Sequence, residues 1–309
     1  MKVLVSGTSG LIGAALKEYL LSKGHTVICL VRARTGAQEE VLIDLSRGCI
    51  ESDKLEGIDA AINLAGENVA QRWTAEARRR IADSRIKGTS LLASTLAGLE
   101  HKPDVLISAS AIGFYGDRGD EILTEASRQG QGFLSQVCAA WEEALSPARD
   151  AGIRTASLRL GLVLSRSGGA LGRMLLPFQL GIGGNLGSGK QYMSWISIDD
   201  VVRSIELILE CRQLSGPVNL VSPTPVTNAE FTAVLSRVLH RKAVLHVPQA
   251  ILKLAFGSAM AQEMLLASSR VMPAKLQAAA YDFQCPTLES ALLRLLSKES
   301  SVCRTAPAR

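Results

Sequence analysis

At 309 residues the chain can bury a large core and exceeds one average domain, and 47% apolar against 20% charged residues is the balance of an ordinary globular protein. The net charge of +5 is modest and Arg78-Arg79-Arg80, a single helical turn, reads as a solvated face, so composition argues against a nucleic-acid tract. The six cysteines show no paired or metal-ligand spacing, no apolar run is long enough to cross a bilayer, and Met1 and Lys2 alone precede the first strand; the expectation is a cytoplasmic protein with no metal and no membrane partner.

The opening strand of Lys2-Val-Leu-Val-Ser6 runs straight into Gly7, Thr8, Ser9, Gly10, Leu11, Ile12 and Gly13, and then into a helical stretch, Ala14–Lys23. A strand turning tightly into a helix aims free backbone N–H groups and the positive end of the helix dipole at one spot, where a dinucleotide pyrophosphate can sit. Glycine serves there because a Cβ blocks the turn, the approach of the phosphates, or the packing of helix on strand. A triple glycine is weak evidence alone; strand before and helix after make it stronger.

A second strand, Thr26–Val31, ends in Val31-Arg32-Ala33-Arg34, where a dinucleotide-binding unit reads the adenosine ribose. A carboxylate there accepts from a 2′-hydroxyl and repels a 2′-phosphate, whereas arginine offers a planar donor fork to phosphate oxygens. Arg32, with Arg34 as a possible helper, therefore points to NADP(H). Two arginines after a strand are also ordinary loop charges.

Strand-length apolar runs then alternate with helix-length periodic segments: strands at Glu40–Asp44 and Asp59–Asn63, a helix over 75–99, a strand at Asp104–Ala109, a helix over 133–149 and a strand at Arg154–Arg159. The alternation predicts an α/β fold, a doubly wound parallel sheet of Rossmann type. Strand carboxyl ends gather on one edge of such a sheet, so Gly7–Gly13, Arg32, Leu64-Ala65-Gly66 and Ser108–Gly116 are expected to meet there. The glycine-dense segment 181–189 reads as an ordered loop, Val218–Val221 as a late strand, and Thr227 with Glu230 as a capping box for a helix reaching Leu239. Beyond Pro248 no further strand is evident. The predicted organisation is a dinucleotide-binding domain over 1–245, a small, mostly helical C-terminal domain over 246–298, and a flexible tail over 299–309.

These residues resemble the extended short-chain dehydrogenase/reductase group. They are similar, more narrowly, to its atypical epimerase-like family, whose members carry descriptions as nucleoside-diphosphate-sugar epimerases or as cell-division inhibitors of the SulA type. The resemblance rests on Asn63–Asn68, Ser108–Gly116, Arg159–Ser165 through Gly168-Gly169-Ala170 to Phe178, Gly187–Gly189 through Trp195 to Asp200, and Gln262–Ser268 with Arg270–Pro273 and Phe283–Pro286. It implies an NADP(H) site in which Val31 and Arg32 flank the adenosine, Leu64, Ala65 and Gly66 line the nucleotide groove, and Arg85 and Val163 face the cofactor. Arg85 also reads as a solvated helix charge and Val163 as plain core.

Hydride-transfer members of the group place Tyr-x-x-x-Lys on one helix, the lysine depressing the tyrosine pKa. Here Phe133 and Val137 stand at those positions, and neither exchanges a proton. Ser110 and Tyr115 are the substitute catalytic candidates, with the carboxylates Glu67 and Glu142 nearby. A strand-end serine, a packed loop tyrosine and an ion-paired helix glutamate account for the same residues structurally. Two functions stay open: an NADP(H)-dependent reductase or epimerase acting on a small polar substrate, and a non-catalytic NADP(H) sensor or scaffold presenting its helices to a protein partner. The chain is expected as a monomer or homodimer.

Overall fold

The structure, a computed structural model, describes residues 1–36, 39–243 and 245–297; the predicted tail at 299–309 lies outside the described residues. Eight strands form the central sheet: β1 (Lys2–Ser6), β2 (Thr26–Val31), β3 (Glu40–Asp44), β4 (Cys49–Ile50), β5 (Ala60–Asn63), β6 (Val105–Ala111), β7 (Arg154–Leu160) and β8 (Gly216–Leu220). Their spatial order is β8-β7-β6-β5-β1-β2-β3-β4, parallel throughout except for β4, which turns back on β3. This is the Rossmann-type arrangement that the strand and helix alternation predicts. Chain flow from β1 goes outward to β2, while β5 returns to the other side of β1. The loops leaving β1 and β5 therefore diverge and open a crevice at their carboxyl ends.

Period-two alternation sets the two faces of the sheet. Val3 and Val5 face the side where α1 (Leu11–Ser22) contributes Leu16 and Leu20, and Leu4 faces the side where α2 (Ala75–Ala97) contributes Leu92 and Leu96. The predicted long helix over 133–149 is two helices, α3 (Phe133–Glu143) and α4 (Ser146–Asp150). Pro147 accounts for the break, since it has no amide proton and its ring crowds the carbonyl four residues earlier.

The chain continues through α5 (Gly169–Gln179), α6 (Ile198–Glu210), α7 (Asn228–Val238), which has the predicted Thr227–Glu230 capping box, and α8 (Gln249–Phe256). Short strands beyond the sheet revise two expectations. Gly184–Leu186, inside the glycine-dense loop, pairs with Leu245–Val247, and Arg270–Val271 pairs with Ile122–Leu123 beyond Pro248, where no strand was expected. Residues on both sides of position 245 share one apolar cluster: Trp195, Phe178 and Phe231 pack with Leu288, Ala291 and Leu292.

Asp200 joins the two regions. Its carboxylate is buried at the start of α6 and accepts from Ser197 Oγ at 2.7 Å, Gln284 N at 2.8 Å and Cys285 N at 3.2 Å. Tyr281 Oη donates to the Asp200 backbone carbonyl at 3.0 Å. Asp200→Ala removes the acceptor of Ser197 Oγ and of the Gln284 and Cys285 amides and is expected to cost about 2–3 kcal/mol, read as a fall in the urea midpoint at constant m-value; an unchanged midpoint would show that the anchor contributes nothing.

Candidate active site

The crevice floor is built from glycines whose missing Cβ atoms are required by contact. Gly7 has φ +71°, and a Cβ there would lie 2.8 Å from the Leu64 carbonyl carbon. A Cβ on Gly13 would lie 2.1 Å from Gly7 O, so α1 seats directly on the loop. Gly10 N donates to Gly7 O at 2.9 Å and closes the turn. The start of α1 has no side-chain cap and no acidic residue in its first turn, so its leading amides remain for an anion.

A buried polar chain fixes the opposite wall. Ser6 Oγ donates to Asn63 Oδ1 at 2.6 Å and accepts from Leu64 N at 3.1 Å and Ala65 N at 3.2 Å. Asn63 Nδ2 donates to Thr89 Oγ1 at 2.7 Å, and Trp141 Nε1 donates to the same oxygen at 2.8 Å. The chain thereby ties the ends of β1 and β5 to α2 and α3. Arg85 lies against Gly66, where a Cβ would come within 3.1 Å of its Cζ. Its guanidinium packs over the Trp141 ring at 5.1 Å and donates to Ile81 O at 3.1 Å. Burial lowers the Arg85 pKa, with Cys138 and Glu67 acting in the opposite sense. Arg85 is thus half-buried beside the groove, not a solvated charge.

Val163 lies on the short strand Leu162–Ser165 and packs against the same buried cluster as Ile12, Val31 and Leu64. Gly168 and Gly169 fold over the start of α1, where a Cβ on Gly169 would lie 2.9 Å from Leu11 Cδ2. The two arginines after β2 separate. Arg34 donates to both Glu51 oxygens at 2.7 and 2.9 Å and is committed to that pair, whereas Arg32 is exposed and has no partner among the described residues. Arg32 and Arg34 are therefore not equivalent: Arg34 is engaged by Glu51, and Arg32 is not paired among the described residues.

Ser110 and Tyr115 meet, but inside the protein. Arg159, at the end of β7, donates from Nε and Nη2 to the two Glu142 oxygens, each at 2.8 Å, with side-chain exposures of 4% and 15%. Ser110 Oγ donates to Glu142 Oε1 at 2.7 Å. Tyr115 Oη accepts from Arg159 Nη1 at 3.0 Å and donates to Asn219 Oδ1 at 2.7 Å. The Arg159 guanidinium also packs 3.5 Å from the Phe114 ring centroid. Burial disfavours the Arg159 cation, yet the Glu142 hydrogen bonds and charge outweigh it and raise the pKa above the ordinary arginine value. Burial likewise pushes the Tyr115 phenol up, with Arg159 pulling it back. Tyr115 has no exposed surface, so in this arrangement its phenol does not reach the crevice.

Phe133 and Val137 occupy the start of α3, Phe133 half-buried and Val137 buried. The start of α3 has no cap of its own; Glu263, on a π-helical turn at Ala261–Leu266, accepts from Phe133 N at 3.1 Å and Leu134 N at 2.8 Å. Gly132 makes the approach feasible, with φ +105° and space where a Cβ would sit 2.9 Å from that carboxylate. Arg78 packs against the outer side of Phe133, its Cζ 5.3 Å from the ring centroid.

Residues 3–220 match the model of the NAD dependent epimerase/dehydratase family. The chain belongs to this family. Residues 247–295 match a domain of unknown function, DUF1731. An epimerase family protein of Mycobacterium tuberculosis is 42% identical over 291 residues, covering 94% of this chain and 96% of that protein. The crystal structure of the human epimerase family protein SDR39U1 with NADPH superposes with a TM-score of 0.87 at 33% identity, covering 96% of this chain and 99% of that one. A nucleoside-diphosphate sugar epimerase of Corynebacterium glutamicum gives a TM-score of 0.80 at 36% identity, covering 96% of this chain and 58% of that one. The atypical epimerase-like resemblance drawn from the sequence is the family found.

Sequence reasoning missed the contacts of three residues at this end of the sheet: Arg159, Glu263 and Arg78, the last of which was assigned to a solvated face. Glu263 lies within the Gln262–Ser268 segment, but nothing local marks a carboxylate that caps a helix 130 residues away. Arg159→Leu strands the Glu142 carboxylate and is expected to cost about 3–5 kcal/mol, with the Arg159→Leu/Glu142→Leu double change recovering part of that loss. Urea unfolding of both singles and the double checks this, and strictly additive losses would mean that the two charges are uncoupled. Glu263→Ala is expected to lower stability by about 1–2 kcal/mol through loss of the cap, measured by thermal unfolding; an unchanged midpoint would remove Glu263 from the account.

Proposed function

We propose that the chain is an NADP(H)-dependent enzyme of reductase or epimerase type acting on a small polar substrate between the sheet edge and the C-terminal helices. The observation that carries this reading is the pairing of the Cβ-free cradle at Gly7, Gly10 and Gly13 with an unpartnered Arg32 at the end of β2. The residues present fit the dinucleotide. The cradle and the uncapped start of α1, from Thr8 to Ile12, suit the pyrophosphate. Arg32 suits a 2′-phosphate, and no carboxylate stands at that position to repel one. Val31, Leu64, Ala65 and Gly66 form the apolar and backbone walls, and Arg85 and Val163 flank the groove. The binding of NADPH by the human relative supports the same choice.

When bound, NADP(H) supplies or accepts a hydride. The chain's own part is to bind, orient and exclude water. Arg85 and the Ser6–Asn63–Thr89 hydrogen bonds hold the groove wall rigid, and Gly168-Gly169 covers the loop at Leu11. Ser110 and Tyr115 are assigned to positioning, because their hydroxyls are spent on Glu142, Arg159 and Asn219. Phe133 and Val137 carry no exchangeable side-chain proton, and this is what favours the second reading, a non-catalytic NADP(H) sensor. Net oxidation of NADPH by a member of a carbonyl-substrate library, or inversion of a hydroxyl-bearing centre with the cofactor regenerated, separates the first reading from the second.

Arg32→Asp is expected to weaken NADPH binding about 10- to 100-fold, roughly 1.4–2.8 kcal/mol, and to change NADH binding far less. Fluorescence titration with both cofactors checks it. Equal affinities of the unmutated chain for NADPH and NADH would overturn the 2′-phosphate reading.

A further inference from the structure

We propose that the cluster of Trp73, Arg78 and Phe133 is a subsite for a carboxylate group of the substrate, gripped by the Arg78 guanidinium. The inference rests on the cofactor reading above and names the substrate class: small carboxylic acids that also carry an oxo or hydroxy group for the hydride chemistry.

Both α2 and α3 begin at the carboxyl edge of the sheet, and these three residues lie at their starts. The Trp73 indole is fixed by a hydrogen bond from Nε1 to Val69 O at 2.9 Å, and its ring meets Phe133 edge-on at 5.1 Å between centroids. Arg78 packs against both rings, with its Cζ 5.8 Å from the Trp73 centroid and 5.3 Å from that of Phe133. The side chain is half-buried and its Nε is fully buried with no acceptor. Among the described residues no carboxylate pairs with it, and its terminal nitrogens make no hydrogen bond yet are not buried.

Packing alone does not explain an arginine here. Thr74 caps α2, so Trp73 and Arg78 hold the two positions of a hydrophobic staple across the helix start, where a leucine would pack without a buried, unsatisfied N–H. Nearby acids are already occupied: Glu76 pairs with Arg80 at 2.8 Å, Glu67 accepts from Gln71 at 3.3 Å, and Glu263 is taken by the amides of Phe133 and Leu134. Exposed Arg72 and Arg79 add to the positive field around the cluster. A planar donor fork stiffened between two rings, short of acceptors, matches the two oxygens of a carboxylate. Phe133 begins α3 at the carboxyl edge of the sheet, so a group held beside it lies at the edge where the glycine cradle opens.

The test uses oxamate, a small carboxylate, and pyruvamide, a neutral molecule of nearly the same shape, titrated by calorimetry at constant ionic strength into the NADPH-loaded protein. Saturable oxamate binding is expected, weakened tenfold or more by Arg78→Met and less by Arg78→Lys, within twofold of the parent in Arg79→Met, and absent for pyruvamide. NADPH affinity is expected to be unchanged in the Arg78 variants. No saturable oxamate binding, equal binding of pyruvamide, or equal loss in Arg79→Met overturns the subsite. Failure of the unmutated chain to bind NADPH overturns the cofactor reading instead, and oxamate titration of the cofactor-free chain then decides the subsite by the same Arg78 criterion. Thermal unfolding of each variant verifies folding, and Arg78→Lys carries the test if Arg78→Met does not fold.

Discussion

The buried pair of Arg159 and Glu142 is the interaction on which the rest of the sheet edge depends. Two opposite charges removed from water are stable only where almost every remaining donor and acceptor is satisfied. That requirement draws in the surroundings: Ser110 from β6, Tyr115 after β6, and Asn219 of β8 through Tyr115. Phe114 covers the guanidinium face. Three strands and α3 are thus locked in register at the end of the sheet where chemistry is expected. An apolar cluster of the same volume would fill the space, but it would not fix the orientation of so many groups.

This pair also explains why two catalytic candidates were plausible in the sequence and look different in the fold. A serine at a strand end and a tyrosine before a glycine are local features, readable from a dozen residues. Their partners are not local. Ser110 bonds a glutamate 32 positions away and Tyr115 an asparagine 104 positions away, distances at which one sequence carries no pairing signal. The strand and helix alternation, the glycine cradle and the Thr227–Glu230 cap were legible because periodicity, steric demand and capping act within a few residues. The same logic marks the limits. Charge composition assigned Arg78 to solvent, whereas Trp73 and Phe133 decide its burial, and Arg34, read as a helper to Arg32, is paired with Glu51 just after β4.

Helix α3 is held at both ends by carboxylates of opposite origin. Near its end, its own Glu142 reaches into the sheet; at its start, Glu263 arrives from the C-terminal segment and neutralises two unpaired amides. The segment matched by a domain of unknown function therefore has a structural task that can be stated in atoms: it sets where the first turn of α3, and with it Phe133, stands. Asp200 fastens the same segment from the other side, through Gln284 and Cys285. The glycine cradle is in this way built from local contacts in the N-terminal loops, whereas the start of α3 depends on contacts over long separations.

The departure from Tyr-x-x-x-Lys is more than a loss of two functional groups. A lysine at position 137 would enter a buried position on α3, and an ammonium there without a carboxylate would carry the cost of an unpaired buried charge. A tyrosine at 133 would place a phenol beside Arg78 and Trp73, with no lysine one helical turn on at position 137 to pair with it. The packing around α3 is committed to apolar side chains at both positions, and the guanidinium beside Phe133 is that of Arg78 on α2. Phe133 instead meets Trp73 and Arg78, so the start of α3 is set by contacts with α2 rather than by a titratable pair within α3.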